Sequence, residues 1–267
     1  MKDKKTFIID IIWIGLFLFF IILFIVIGVR KREKQREYEA LKEAVVITET
    51  TESESETEII IETETEEPKI YCDKTIDFEE LHETNEDIYA WITVPGTDVD
   101  YPVLQSEEDN YYLTHNLDHT GPRPGCIYSN KENTKDFSDF ATILYGHDMN
   151  NGTMFGTLRS FYDRDFFEEN DTIVIYTETN RYTYQIVETR RHSDAYLPYE
   201  FDYFSEAGKA AFLQMMAEEE DDKSFIREGV EYGMEDRYIV LSTCIRYEDD
   251  KRYLMIGKLV EEAFYYE

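Results

Sequence analysis

The sequence predicts a mostly β fold, a closed or nearly closed barrel of about eight strands with helices inserted in its loops, preceded by one N-terminal transmembrane helix. Three observations carry this expectation. Short β-rich runs recur between residues 92 and 260, separated by turn signals such as Pro95-Gly96, Gly121-Pro122 and Pro124-Gly125. One long helical pattern interrupts them. An unbroken apolar stretch stands ahead of everything else.

That stretch runs from Phe7 to Val29 as FIIDIIWIGLFLFFIILFIVIGV, with Asp10 its only charge. As a helix it would rise about 35 Å, enough to cross a bilayer. It lacks the polar face of a core helix, and no A-x-A-like cleavage site follows it, so a retained anchor is expected over residues 1–36. Lys2, Lys4 and Lys5 precede the span, and Arg30, Lys31, Arg32, Lys34 and Arg36 follow it. Counted literally, these charges place the C-terminal side in the cytoplasm.

Residues 37–68 are expected to be an acidic, low-complexity linker. TETTESESETEIIIETETEE is Glu/Thr/Ser repetition broken only by Ile59, Ile60 and Ile61, too poor in apolar surface to offset its ordering entropy. The folded domain is assigned to residues 69–267. Asp77 is placed to cap a short helix with Phe78 and Leu81 at helical spacing. The expected strands are Ile92–Val94, Val99–Leu104, Cys126–Ser129, Thr142–Tyr145, Thr172–Tyr176, Arg181–Thr189, Arg237–Thr243 and Tyr253–Val260. The long helix is expected from Phe204 to Glu219, with Phe204, Ala207, Ala211, Phe212 and Met215 on its buried face.

Composition excludes several functions. The 267 residues carry 27 basic against 58 acidic side chains, a formal net charge of −31, which repels nucleic-acid phosphate. Three cysteines without C-x-x-C spacing make neither a disulfide scaffold nor a zinc site, and the acidic pairs lack a calcium-loop arrangement. No metal and no cofactor is therefore expected.

Two stretches carry candidate chemistry. In Ile143-Leu-Tyr-Gly-His-Asp-Met-Asn-Asn-Gly-Thr-Met-Phe155 a strand ends at Tyr145 and His147 follows at the rim. In Tyr238-Ile-Val-Leu-Ser-Thr-Cys-Ile-Arg-Tyr247 an apolar strand delivers Cys244, and a hairpin would return Arg252 beside it. A thiolate attacks, a neighbouring imidazolium lowers its pKa and later protonates a leaving amine, and a guanidinium offers a fixed fork of donors to an oxyanion. Arg246 competes with Arg252 for the last role, being nearer in sequence. Cys72 and Cys126 read as small buried residues, and His82, His115, His119 and His192 as surface or structural.

Taken together, Tyr145-Gly-His147 with Met149, Gly152, Met154 and Phe155, then Leu241-Ser-Thr-Cys244 and Arg252, resemble the sortases, specifically class B. Trp91-Ile-Thr-Val-Pro-Gly-Thr97, Asp100-Tyr-Pro-Val103 and Asp109-Asn-Tyr-Tyr-Leu113 resemble the early segments of the same family, so the likeness spans about residues 76–260. The resemblance implies the eight-stranded sortase barrel with a helix between its sixth and seventh strands. It implies a membrane-anchored cysteine transpeptidase of the Gram-positive surface, with Cys244 as nucleophile, His147 as general acid/base and Arg252 as transition-state stabiliser. Its partners would be a surface-protein sorting-signal peptide and a peptidoglycan amine. Tyr145 and Ser242, with Leu113 less firmly placed, become substrate-groove candidates, and the polar Asn of the family pattern would fall at Asp109. The resemblance puts the catalytic domain outside the cell, against the literal charge count. A hydrolytic cysteine peptidase would use the same residues, and so would a pilin-polymerising sortase. A non-enzymatic scaffold would have no need of Cys244, His147 and Arg252 together.

Overall fold

The computed structural model describes residues 4–47, 70–71, 75–121, 124–217 and 222–265. The chain divides into two units, Met1–Ala44 and Val45–Glu267. The first is a single helix, α1 (Lys4–Val45), which contains the apolar stretch. The helix passes the expected boundary at residue 36, because Glu37-Tyr-Glu-Ala-Leu-Lys-Glu-Ala44 is rich in strong helix formers. Several side chains of the apolar stretch lie outside the described residues. Among the described residues, no helix is long and apolar enough to cross a membrane. The acidic repeat from residue 48 to 68 and Cys72 also lie outside the described residues.

In the second unit, eight strands among the described residues close a barrel: β1 (Ile88–Thr93), β2 (Asp100–Leu104), β3 (Ile127–Ser129), β4 (Ala141–Tyr145), β5 (Thr172–Tyr176), β6 (Asn180–Ser193), β7 (Tyr238–Ile245) and β8 (Glu248–Phe264). Going round, the order is β6-β5-β1-β2-β3-β4-β7-β8, and β8 pairs back to β6. Closure leaves the barrel strands without a free edge. The expected eight-strand barrel with inserted helices is what the chain forms. β4 and β7 run parallel, with Tyr145 opposite Ser242, whereas β7 and β8 form an antiparallel hairpin with Cys244 opposite Arg252.

Interior positions are apolar, with Ile92, Ile173, Ile175, Tyr184, Ile239 and Leu241 buried. Helix α2 (Phe78–Thr84) starts as expected: the Asp77 carboxylate accepts from the Glu80 N–H at 3.0 Å, and Phe78 and Leu81 are buried. A short helix, α3 (Arg164–Glu169), precedes β5. Between β6 and β7 lie α4 (Leu197–Glu200) and α5 (Glu206–Met216).

Helix α5 corrects the expected packing face. It starts two residues late, because the Ser205 hydroxyl caps it by accepting from the Gly208 N–H at 3.1 Å. Phe204 stays outside and is 77% exposed, and Ala207 and Ala211 face solvent. The buried residues are Phe212, which was expected, and Met216, with Gly208 half-buried on the same stripe. Gly208 approaches the Asp202 backbone more closely than any Cβ permits, and Phe212 packs on Phe140, Phe201, Tyr203 and Tyr238. Phe212 is buried as expected and Met215 packs partly against the same core, and turning Met216 inward buries more apolar area than the two alanines would.

Candidate active site

Cys244, His147 and Arg252 meet because of strand register. Ser242 and Tyr145 are opposite one another in a parallel pair, so the residues two further on, Cys244 and His147, emerge at the same end of the barrel. The Gly146 N–H donates to the Ser242 carbonyl at 3.2 Å and closes that ladder. On the other side of Cys244 stands Arg252, its direct cross-strand partner, and beyond Arg252 comes His192 of β6. The thiol therefore sits between an imidazole and a guanidinium on neighbouring strands.

The three residues share a cleft of about 320 Å³, which Tyr145, Ser242 and Leu113 also line. All six residues singled out from the sequence are thus brought together. Cys244 is an exposed free thiol, His147 and Arg252 are half-buried, and Ser242 is buried beneath the strand end. Alternation along β7 puts Ser242 and Cys244 on one face.

His147 is held by a partner the sequence did not disclose. Its Nε2 lies 2.7 Å from the Leu113 carbonyl oxygen, which only accepts, so this nitrogen carries a proton. Leu113 itself ends a 3₁₀ turn, Tyr111–Leu113, and its side chain is 38% exposed. Arg252 is oriented from Nη1, which donates to the Lys251 carbonyl at 2.8 Å and the Asp249 carbonyl at 3.1 Å. Arg246, the rival guanidinium, turns away from the cleft. Its Nε is 3.2 Å from Asp148 Oδ2, and its Nη2 donates to the Met149 carbonyl at 3.2 Å.

The cleft wall is aromatic. Tyr128 stacks on Tyr145 with ring centroids 5.4 Å apart, and Tyr145 stacks on Tyr196 at 6.4 Å. Burial pushes the Tyr128 and Tyr145 phenols well above their usual value and Tyr196 up to about 12, so all three stay protonated hydrogen-bond donors at neutral pH. Sequence reasoning missed Tyr128, Tyr196 and Asn110 as lining residues. It placed the family's polar residue at Asp109, which instead pairs with Lys131 at 3.0 Å. Asn110 lines the cleft and accepts from the Tyr128 hydroxyl at 3.0 Å. Asn110 precedes the Tyr111–Leu113 turn with a left-handed φ of 57°, which asparagine tolerates well. Cys126 is buried as expected, with its thiol 3.5 Å from the His115 carbonyl.

Comparison with known proteins places these features in a family. The sortase-domain family matches residues 92–260. Sortase B of Listeria monocytogenes is 32% identical over 186 residues, covering 69% of this chain and 74% of that protein. The crystal structure of Clostridium perfringens sortase B superposes with a TM-score of 0.61 at 30% identity, covering 69% of this chain and all of that one. A Staphylococcus aureus sortase B–substrate complex gives 0.59 at 29% identity, covering 69% and 84%.

Proposed function

Because the chain belongs to the sortase family, as a class B cysteine transpeptidase, we propose that Cys244, His147 and Arg252 perform the transfer in this cleft. The observation that carries the assignment is the placement of the three side chains on neighbouring strand ends, β4, β7 and β8, around one cavity. The Cys244 thiolate attacks the carbonyl of the sorting-signal threonine, forming the C–S bond. The resulting oxyanion is met by the Arg252 fork, whose charge is permanent and whose donors are planar. As the C–N bond breaks, His147 gives its proton to the departing amine. The acyl group then rests as a thioester until a cell-wall amine attacks it. His147 takes the proton from that amine, and the Cys244 thiolate departs.

Tyr145, Ser242 and Leu113 form the sorting-signal groove with Tyr128 and Tyr196. The likeness to a sortase B solved with its substrate supports a peptide in this groove. Helix α1 anchors the enzyme, supported by its 23 consecutive residues with one charge and by the exposed Trp13, Phe17, Phe19 and Phe20. The catalytic domain lies outside the membrane, where wall amines are found. Protease added to intact protoplasts then digests the C-terminal domain, and a protected domain contradicts this orientation.

The catalytic assignment is tested by peptide turnover with and without added amine. Cys244→Ala abolishes cleavage, and His147→Ala and Arg252→Ala each lose several orders of magnitude. Arg252→Lys recovers little, since a point charge does not reproduce a donor fork. Near-normal turnover in any of the alanine variants rules out the role assigned to that residue.

A further inference from the structure

Beside the cleft lies an ion-pair cluster that the transfer chemistry does not use. Asp148 directly follows His147, and its side chain is only 2% exposed. Its two oxygens face two arginines: Oδ1 is 3.0 Å from Arg159 Nη1, and Oδ2 is 3.2 Å from Arg246 Nε. Arg246 belongs to the β7–β8 turn, two residues after Cys244, and its Nη2 reaches the Met149 carbonyl. One guanidinium thus holds both residues that follow His147.

The need for such a link comes from the register. The parallel β4–β7 ladder ends at the Tyr145–Ser242 pair, with the Gly146 N–H to Ser242 bond just beyond it. His147 and Cys244 lie past that last rung, where the chain of His147 leaves the sheet. The His147 loop is internally rigid: the Met149 and Phe155 N–H groups both donate to the His147 carbonyl, at 3.1 and 3.0 Å, and Asp148 bridges to Met154. A rigid loop and a rigid hairpin still need a fixed relation to each other, and the Arg246 fork spans the gap between them.

Resting on the assignment of Cys244 and His147 as the reacting pair, we propose that Asp148 and Arg246 are positioning residues that lock the His147 loop onto the Cys244 hairpin and so set the alignment of imidazole and thiol. A buried carboxylate is costly, and burial raises the Asp148 carboxyl above its usual value while Arg246 pulls it back. A side chain chosen only to fill this space would be apolar. The ion pair holds the loop and the hairpin at a fixed separation, the Arg246 hydrogen bond to the Met149 carbonyl adds direction, and near-attack alignment is sensitive to shifts of about 1 Å.

The test compares Asp148→Asn, Arg246→Ala, Arg246→Lys and the Asp148→Asn/Arg246→Ala double variant in the full-length enzyme, assayed on sorting peptide well below each melting temperature. Both single changes should lower kcat by about 30- to 100-fold, in line with a displacement of about 1 Å, while KM stays within about threefold. Arg246→Lys should recover part of the loss, since it keeps the charge toward Asp148 but not the second donor. The double variant should be no worse than the poorer single one, because the two residues act as one link. Retention of kcat within twofold by Arg246→Ala overturns the proposal, as do losses that multiply in the double variant. Cys244→Ala and His147→Ala run in parallel: if they are inactive while the link variants are unaffected, the catalytic assignment stands and only the link fails.

Discussion

Gly146 separates the last residue of β4 from His147, and adding one methyl there should disable the enzyme more than it unfolds it. A Cβ at Gly146 would lie 2.7 Å from Phe155 Cδ2, 2.9 Å from Cγ and 3.0 Å from Cε2. Ordinary carbon contacts are about 3.5–4.0 Å, so ring and backbone must separate by close to 1 Å. Phe155 is fully buried and cannot swing into solvent. Its own N–H donates to the His147 carbonyl at 3.0 Å, so moving Phe155 moves the His147 loop. Overpacking of this kind costs about 1–3 kcal/mol. For a folded unit of this size that lowers the melting temperature by about 3–9 °C, leaving the domain folded at 25 °C. A shift near 1 Å at His147 costs about 100-fold in kcat/KM. The assay is peptide cleavage alongside thermal melting for Gly146→Ala and for Gly146→Ala/Phe155→Leu, which removes the ring atoms in the way. We expect the first to lose about 100-fold and the second to regain at least tenfold. Activity of Gly146→Ala within threefold of the parent refutes the steric argument.

Other expectations follow from the same structure. Phe212→Ala empties a site bounded by Phe140, Phe201, Tyr203 and Tyr238, and should cost about 3–5 kcal/mol in urea unfolding. A cost below about 1 kcal/mol would mean that α5 does not support the barrel. The Asp148 carboxyl is raised by burial above its usual 3.8, with Arg246 opposing, so the folded chain binds that proton more tightly than the unfolded one. Its contribution is complete below the unfolded value and is lost as pH rises through the folded one. The melting temperature of the parent minus that of Asp148→Asn should therefore shrink as pH rises from the carboxylate range toward neutrality. A growing difference would show that pairing to the arginines dominates burial.

The barrel and the juxtaposition of Cys244, His147 and Arg252 were legible in the sequence for separate reasons. β7 is apolar from Tyr238 to Leu241, so the placement of Cys244 at its end follows from the strand pattern. The hairpin to Arg252 follows from the short interval between them, and the register pairs these two residues directly. Strand limits were less legible: β1 starts at Ile88 rather than Ile92, because Tyr89 and Ala90 carry no turn or charge signal to mark a boundary. The rotation of α5 was misread because alanines at helical spacing look like a stripe although their burial gains little. The Asp148–Arg246 link was invisible because an aspartate in a polar loop reads as solvated. Only the return of the β7–β8 turn across 97 positions of chain brings Arg246 to the Met149 carbonyl. Leu113 was a groove candidate through the family resemblance alone, and the contact of its backbone carbonyl with His147 had no signal in the sequence.

An acyl group carried on Cys244 in this cleft can be trapped as a covalent intermediate. The full-length enzyme is mixed with a sorting peptide in the absence of amine, quenched in acid, digested and read by mass spectrometry. The expected product is the peptide's N-terminal fragment, ending at its threonine, on the peptide that contains Cys244, lost on adding hydroxylamine or an acceptor amine. An adduct on Cys126 or Cys72, or cleavage that persists in Cys244→Ala, would contradict it.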